Sequence, residues 1–126
     1  MLLLGIGTEI VECLKIRRLI EQHGEHFLGR VYTESEISYC QSHRLATEQF
    51  AARWAAKVAV LKCLGAATKK PAFWHEIETN SQAGELQVNL IGNLADRASH
   101  LGVGHIMLSS SFCRAYATAT ALSCRK

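Results

Sequence analysis

A long apolar helix is encoded by residues 46–64, which read ATEQFAARWAAKVAVLKCL. Its large apolar residues recur at steps of four, four and three, with alanines between them, as one face of an α-helix requires: Phe50, Trp54, Val58 and Leu61. Gly65 follows where a glycine commonly ends a helix. The sequence therefore predicts one dominant helix in the middle of the chain.

Shorter elements precede this helix. Residues 2–11 are apolar enough for a buried strand, in which Gly5 and Gly7 allow close backbone approach. The apolar spacing of residues 12–22 predicts an amphipathic helix that ends at Gly24, and a short helical piece follows through residues 27–31. Thr33 and Glu36 have the spacing of a capping box, which predicts the start of a helix that extends to about residue 39 or 40.

Strands and one more helix follow the long helix. After a loop at residues 66–70, residues 73–78 and 86–91 are predicted to form a hairpin that turns through residues 80–84. A second amphipathic helix is predicted over Asn93–Leu101, and the last strands are predicted at residues 106–111 and 116–122. This order is typical of an α+β fold, and no linker divides residues 1–126, so we expect a single domain.

Composition excludes several classes of protein. The chain has 126 residues, 48% of them hydrophobic and 20% charged, which is globular composition. A net charge of +3 without a basic stripe does not indicate a nucleic-acid partner. The apolar stretch of residues 1–6 is far shorter than the ~20 residues that span a membrane, and no membrane association is expected. Five cysteines without a C-x-x-C motif predict reduced thiols and a cytoplasmic location.

Charged residues near the first strand and on the long helix are the candidates for chemistry. Glu9 ends the first strand, where a carboxylate is either a metal ligand or general base, or simply a solvated acid. Arg53, Lys57 and Lys62 lie within about 140° of one another on a helix that turns ~100° per residue. They predict either a phosphate-binding face or a solvated basic face.

Four motifs together resemble the holo-acyl-carrier-protein synthase family, the small phosphopantetheinyl transferases. Residues 5–12, GIGTEIVE, are similar to the family's G-I-G-T-D-I-V-E opening, and residues 53–62, RWAAKVAVLK, resemble its R-W-A-A-K-E-A…K helix. Residues 108–117, LSSSFCRAYA, resemble its V-S-L-S-H-T-x-x-Y-A strand pair, and residues 32–37, YTESEI, match its F-T-x-x-E-I segment. The resemblance covers the chain from residue 2 to about residue 121.

The resemblance implies a reaction and its residues. Family members transfer the phosphopantetheine arm of coenzyme A to a serine of apo acyl carrier protein, on a fold in which a long helix packs on a small antiparallel sheet. They assemble as homotrimers with coenzyme sites between subunits. The implied catalytic residues are Glu9 and Lys62, and the implied coenzyme-binding residues are Arg53, Lys57, Lys62 and Ser111. Lys15, Arg17 and Arg18 resemble the basic helix that docks acidic carrier proteins.

Three positions depart from the family pattern. Glu9 replaces the aspartate that binds Mg²⁺, Val58 replaces the second, glutamate ligand, and Phe112 replaces a histidine beside the phosphates. Losing one of two carboxylates weakens a Mg²⁺ site, which makes Mg²⁺ binding doubtful, and Glu12 and Glu48 are the candidates for a replacement ligand. Two hypotheses follow: a relative that binds coenzyme A and carrier protein with transfer weakened or lost, a possible pseudoenzyme, or an active Mg²⁺-dependent synthase with a compensated site.

Overall fold

The structure is a computed structural model that describes residues 2–66, 71–82 and 84–125, with only the backbone described at residues 71 and 72. Its elements follow one another in the order of an α+β protein, which confirms the predicted fold class: β1 (Leu3–Glu12), α1 (Cys13–His23), α2 (Glu25–Val31), α3 (Glu34–Gln41), α4 (Ala46–Cys63), a 3-10 helix (Pro71–Glu76), β2 (Ile77–Gln82), β3 (Glu85–Leu90), α5 (Gly92–Leu101), β4 (Val103–Phe112) and β5 (Tyr116–Arg125).

The strands form an antiparallel sheet in the order β1-β5-β4 and a separate β2-β3 hairpin. Helix α4 packs across the inner face of the sheet and contributes much of the hydrophobic core. Two glycines of β1 make this packing possible, because a Cβ at Gly5 would collide with the Cys63 carbonyl oxygen and one at Gly7 with that of Ala59. The predicted close approach at these glycines is therefore confirmed.

Local signals located most helices correctly. Thr33 and Glu36 form the predicted capping box, in which each side chain accepts a hydrogen bond from the backbone N–H of the other residue. Helices α1 and α5 end at Gly24 and Gly102 as predicted, and Gly102 has the left-handed conformation at φ 80° that favours glycine. The predicted loop at residues 66–70 lies, beyond Ala66, outside the described residues.

The prediction that β1 is a buried strand is wrong for one of its faces. The residues that point towards α4 include Gly7 and Val11, which are buried. The alternating face carries Ile6 and Ile10, whose side chains are 60% and 61% exposed. An antiparallel sheet commonly packs one face on the core and leaves the other solvated, and none of the described residues buries Ile6 or Ile10 on the outer face of β1.

The hairpin prediction is wrong at its start and its turn. Residues 71–76 form a 3-10 helix rather than the beginning of a strand, and β2 starts at Ile77. The expected turn at residues 80–84 is shorter, because β2 continues to Gln82 and pairs with Glu85. Within the described ranges, no helix has both the length and the apolar character needed to cross a bilayer.

Candidate functional site

Glu9 and Lys62 meet where β1 crosses the last turns of α4. The Lys62 ammonium lies 3.0 Å from the Glu9 Oε1 atom and donates a second hydrogen bond, of 3.0 Å, to the Thr8 carbonyl oxygen. The Lys62 side chain remains 44% exposed and the Glu9 side chain 20% exposed. This ion pair is open to ligands, and its net charge is close to zero.

Val58 lies one helical turn before Lys62 on α4, so the two side chains point to the same side of the helix. Only 4% of Val58 is exposed, and its isopropyl group offers no ligand atom. Glu12 lies on the opposite face of β1 from Glu9, and Glu48 precedes Val58 by ten residues, which is about 15 Å along a helix. Neither is placed to complete the site of its own chain.

This donor set holds Mg²⁺ less well than a pair of carboxylates would. Mg²⁺ in proteins is commonly bound through one or two carboxylates plus phosphates and water, and the single carboxylate here already carries an ammonium partner. Among residues 2–66, 71–82 and 84–125, no three His, Cys, Asp or Glu side chains come together in a manner that could hold a metal ion. The site therefore has one fixed positive charge, Lys62, and one carboxylate, Glu9, where the family pattern has two carboxylates.

Lys57 does not share this site. Its side chain is fully buried, and its ammonium contacts the Glu36 carboxylate at 2.8 Å and the carbonyl oxygens of Trp74 and Ile77 at 2.8 and 2.6 Å. Burial lowers the pKa of Lys57, and the adjacent Glu36 carboxylate opposes that shift. An ammonium has only three N–H donors, and these contacts use all of them. Lys57 is enclosed where the helical spacing predicted a ligand-facing cation.

Arg53 is also largely buried, with 3% exposure, but it lies beside a cavity. Its guanidinium donates a hydrogen bond of 2.9 Å to the Ser81 hydroxyl and stands 4.6 Å from the centre of the Tyr39 ring. Arg53 and Ser81 line a groove of about 900 Å³ between α4, β3 and β4. The groove also contains Ser111 and Phe112 at the end of β4.

The predicted residues therefore fall into two groups within one chain. Glu9 and Lys62 form the first, and Arg53, Ser111 and Phe112 line the groove. Neither Glu9 nor Lys62 belongs to the described lining of the groove. Arg53, Lys57 and Lys62 consequently do not form the single basic face that their spacing predicted.

The turn after β4 carries residues that the sequence placed differently. Ser111 is exposed, and its hydroxyl lies 3.2 Å from that of Thr118, while Phe112 is 39% exposed in place of a polar side chain. Cys113 is exposed, because it follows β4 in the tight turn towards β5. Backbone N–H groups of Tyr116 and Ala115 lower the pKa of its thiol.

The predicted docking residues lie on α1. Lys15 and Arg18 line one shallow depression, and the Lys15 ammonium stands 4.9 Å from the centre of the Trp54 ring. Arg17 faces elsewhere and pairs with Glu21 at 3.7 Å, with both side chains 64% exposed. The structure thus separates Arg17 from the other two cations.

Sequence reasoning missed the residues that surround Arg53 and Lys57. Glu36 was identified as part of a capping box and of the F-T-x-x-E-I segment but not as an ion-pair partner, and Tyr39 and Ser81 carried no motif. One signal was available: an acidic cap residue close to an apolar helix can also pair with a buried cation, so Glu36 could have been given a second role. Its partner Lys57 is 21 positions away, which no local spacing rule connects.

Comparisons with known proteins agree over nearly the whole chain. Residues 5–121 match the model of the 4'-phosphopantetheinyl transferase superfamily. A holo-[acyl-carrier-protein] synthase of Koribacter versatilis is 39% identical over 122 residues, which cover 96% of this chain and 98% of that protein. The crystal structure of holo-[acyl-carrier-protein] synthase from Neisseria meningitidis superposes with a TM-score of 0.89 at 26% identity, covering 98% of this chain and all of that one.

A second structural neighbour is a ligand complex. The ACPS–CoA complex of Chronobacterium ammoniagenes superposes with a TM-score of 0.81 at 26% identity and 97% coverage of both chains. The family match, the full-length relatives and the shared fold agree with the motifs at Gly5–Glu12 and Arg53–Lys62. The chain belongs to the holo-[acyl-carrier-protein] synthase family of the 4'-phosphopantetheinyl transferase superfamily.

Proposed function

We propose that this protein binds coenzyme A and an acyl carrier protein, and that its capacity to transfer phosphopantetheine is weakened or lost. The observation that carries the second part is a buried Val58, where the family pattern has a glutamate, one turn before a Lys62 that is already paired with Glu9. The first part is supported by the coenzyme complex of a relative with the same fold.

Coenzyme A would be held through its phosphates. Lys62 is the exposed ammonium that reaches a pyrophosphate, and Arg53 is the guanidinium beside the groove, where Ser111 adds a hydroxyl. A guanidinium binds phosphate through two parallel hydrogen bonds, which favours it as the anchor of a terminal phosphate. Lys57 has no free donor for this purpose and is not assigned a contact.

Transfer needs more positive charge than this site supplies. A carrier-protein serine attacks the pantetheine-bearing phosphorus, and adenosine 3',5'-bisphosphate leaves, so negative charge must be stabilised on both phosphates. Glu9 and Lys62 are the proposed catalytic residues, as proton acceptor and phosphate partner. Without a second carboxylate the site holds a divalent ion more weakly, and the charge stabilisation that such an ion supplies is worth orders of magnitude in rate.

The working unit is proposed to be a cytoplasmic homotrimer of single-domain chains. The two groups of site residues are separate within one chain, and an interface that joins Glu9 and Lys62 of one subunit to the groove of the next would unite them. The outer face of β1, which includes Ile6 and Ile10, supplies apolar surface for such an interface.

The carrier protein is proposed to dock on α1 through Lys15 and Arg18. These cations line the same depression as Glu12, which offsets part of their charge, and Leu14 within it is 47% exposed, so the surface combines a net positive charge with an apolar contact. Arg17 is assigned a minor part because it already pairs with Glu21. An acidic carrier would be attracted to such a surface most strongly at low salt.

Calorimetric titration of coenzyme A tests the binding proposal. Binding is expected with an affinity that Mg²⁺ changes little, and Arg53→Gln should weaken it by about tenfold or more, because a charged hydrogen bond is lost. Arg30→Gln is the matched control, since Arg30 is an exposed arginine of α2. Absence of coenzyme A binding by the unaltered protein would contradict the proposal.

A further inference from the structure

The Glu36 carboxylate joins three elements inside the protein. Its Oε1 atom accepts hydrogen bonds from the Thr33 N–H and the Lys57 ammonium, both at 2.8 Å. Its Oε2 atom accepts from the Thr79 N–H at 2.8 Å and from the Thr79 hydroxyl at 2.6 Å. One buried carboxylate thus ties the start of α3 to α4 and to β2.

Lys57 completes this connection from the side of α4. Its contacts with the Trp74 and Ile77 carbonyl oxygens hold the end of the 3-10 helix and the first residue of β2 against the helix. Both members of the ion pair have no exposed side-chain surface. Burying two charges is costly unless their geometry and hydrogen bonds compensate, and here every polar atom of the pair has a partner.

The elements that this pair joins are the ones that hold Arg53. Arg53 precedes Lys57 by one turn on α4, so its position relative to the pair is set by the helix. Its guanidinium contacts Tyr39 of α3 and Ser81 of β2, and the Ser81 hydroxyl also lies 3.5 Å from that of Tyr39. A guanidinium aimed into the groove is therefore framed by the two elements that Glu36 ties together.

We propose that Glu36 and Lys57 are positioning residues that aim Arg53 at the terminal phosphate of coenzyme A. Neither reaches the ligand. They act through Tyr39 and Ser81, whose placement depends on the alignment of α3 and β2 with α4. The inference rests on the proposed coenzyme-binding function. It gives Lys57, the lysine of the R-W-A-A-K motif, a positioning role inside the protein instead of a contact with the ligand.

The effect expected of such residues is a change in selectivity. Coenzyme A and 3'-dephospho-coenzyme A differ only in the phosphate that Arg53 would bind, so the ratio of their dissociation constants isolates that contact. A displaced guanidinium loses an oriented charged hydrogen bond, which is worth about tenfold to a hundredfold in affinity. If the Glu36–Lys57 pair served stability alone, its loss would lower the unfolding transition of the protein. The ratio of the two dissociation constants, measured on the folded variant, would not change.

The experiment compares this ratio in Glu36→Gln, in the double variant Glu36→Gln with Lys57→Met, and in Glu34→Gln. Glu34 is an exposed glutamate in the first turn of the same helix and is the matched control. The double variant removes both charges and avoids an unpaired buried ammonium, so it keeps the fold accessible. Thr79→Val, which removes one hydroxyl contact with Glu36, provides a milder variant if either of these fails to fold.

The expected result is a coenzyme A preference that falls at least about tenfold in the Glu36 variants, falls less in Thr79→Val and is unchanged in Glu34→Gln. Folded Glu36 or Thr79 variants that keep the full preference would overturn the inference alone. An unaltered protein that binds both ligands equally would overturn it as well, because Arg53 would then have no phosphate to meet. An unaltered protein that binds neither would overturn the proposed function itself.

Discussion

Val58→Glu should create a Mg²⁺ dependence that, under the proposed function, the native protein does not have. Val58 is buried, and it lies one turn from Lys62, whose ammonium contacts Glu9 at 3.0 Å. A glutamate at this position adds a second carboxylate on the side of α4 that faces β1. Val58→Gln is the matched control, because it has the same size and adds no charge.

The magnitude follows from charge and burial. If the new carboxylate and that of Glu9 come within the about 4 Å that sharing one ion requires, they repel by about 4 kcal/mol at an effective dielectric constant near 20. Lys62 offsets part of that repulsion, so we expect Val58→Glu to lower the free energy of unfolding by about 1–3 kcal/mol without metal. Mg²⁺ at a hundred times its dissociation constant restores about 2.7 kcal/mol. With an unfolding entropy of ~2.1 cal/mol/K per residue over 126 residues, this amounts to a rise in Tm of about 10 °C.

Thermal unfolding with increasing Mg²⁺ at fixed ionic strength and protein concentration measures this effect. We expect Mg²⁺ to shift the Tm of the native protein and of Val58→Gln by nearly zero. The Tm of Val58→Glu should rise by about 10 °C, and this rise should disappear when Glu9→Gln is added. A native protein stabilised by Mg²⁺ as much as Val58→Glu would refute the reasoning, as would a folded Val58→Glu with no shift.

Adding Phe112→His to Val58→Glu should further increase the rate of phosphopantetheine transfer, because the histidine returns a hydrogen-bond donor to the phosphates.

Further perturbations test assembly, docking and core thiols. The protein should sediment as a trimer at micromolar concentration, and Ile6→Asp should dissociate it, since Ile6 is 60% exposed in one chain. Reversing charge with Lys15→Glu and Arg18→Glu should weaken carrier binding about tenfold or more and reduce its salt dependence. Burial raises the pKa of Cys40 to about 12 and that of Cys63 to about 11, so the folded protein keeps both protons when the unfolded chain releases them. At pH 10 each thiol should therefore lower the free energy of unfolding by about 1–2 kcal/mol.

Each of these tests has a matched comparison. Monomeric native protein at micromolar concentration would count against the interface, and Arg30→Glu should leave carrier binding unchanged where the α1 reversals weaken it. Replacing both buried thiols by alanine should flatten the decline in stability between pH 8 and pH 10. Lys57 works in the opposite direction, because its lowered pKa makes the folded state gain stability as pH rises. The thiol contribution is therefore the difference between the native protein and the alanine variant in the slope of unfolding free energy against pH.

Sequence sufficed where the controlling interactions are local. The long helix, the capping box at Thr33 and Glu36 and the stop at Gly102 depend on residues within a few positions of one another, and all are confirmed. The 3-10 helix at residues 71–76 was missed because aromatic residues favour strands, whereas the backbone here is held by Lys57 from another element.

The site was predictable in its parts and not in its arrangement. The motif around Glu9 and Lys62 located residues that do meet, because β1 and α4 approach closely at two glycines. Helical spacing grouped Arg53 with Lys57, yet a periodic pattern does not tell which cation faces a ligand and which finds a buried carboxylate. That distinction depends on Glu36, which reaches Lys57 only in the folded chain.

Phosphopantetheine transfer by the unaltered protein tests the central claim most directly. Coenzyme A, apo acyl carrier protein and the protein would be incubated with and without Mg²⁺, and the mass of the carrier followed over time, with Val58→Glu in parallel. The account predicts that the carrier gains phosphopantetheine slowly or not at all with the native protein, and that Mg²⁺ changes this little. Brisk, Mg²⁺-dependent transfer by the native protein would contradict it and would mean that the site is compensated despite Val58.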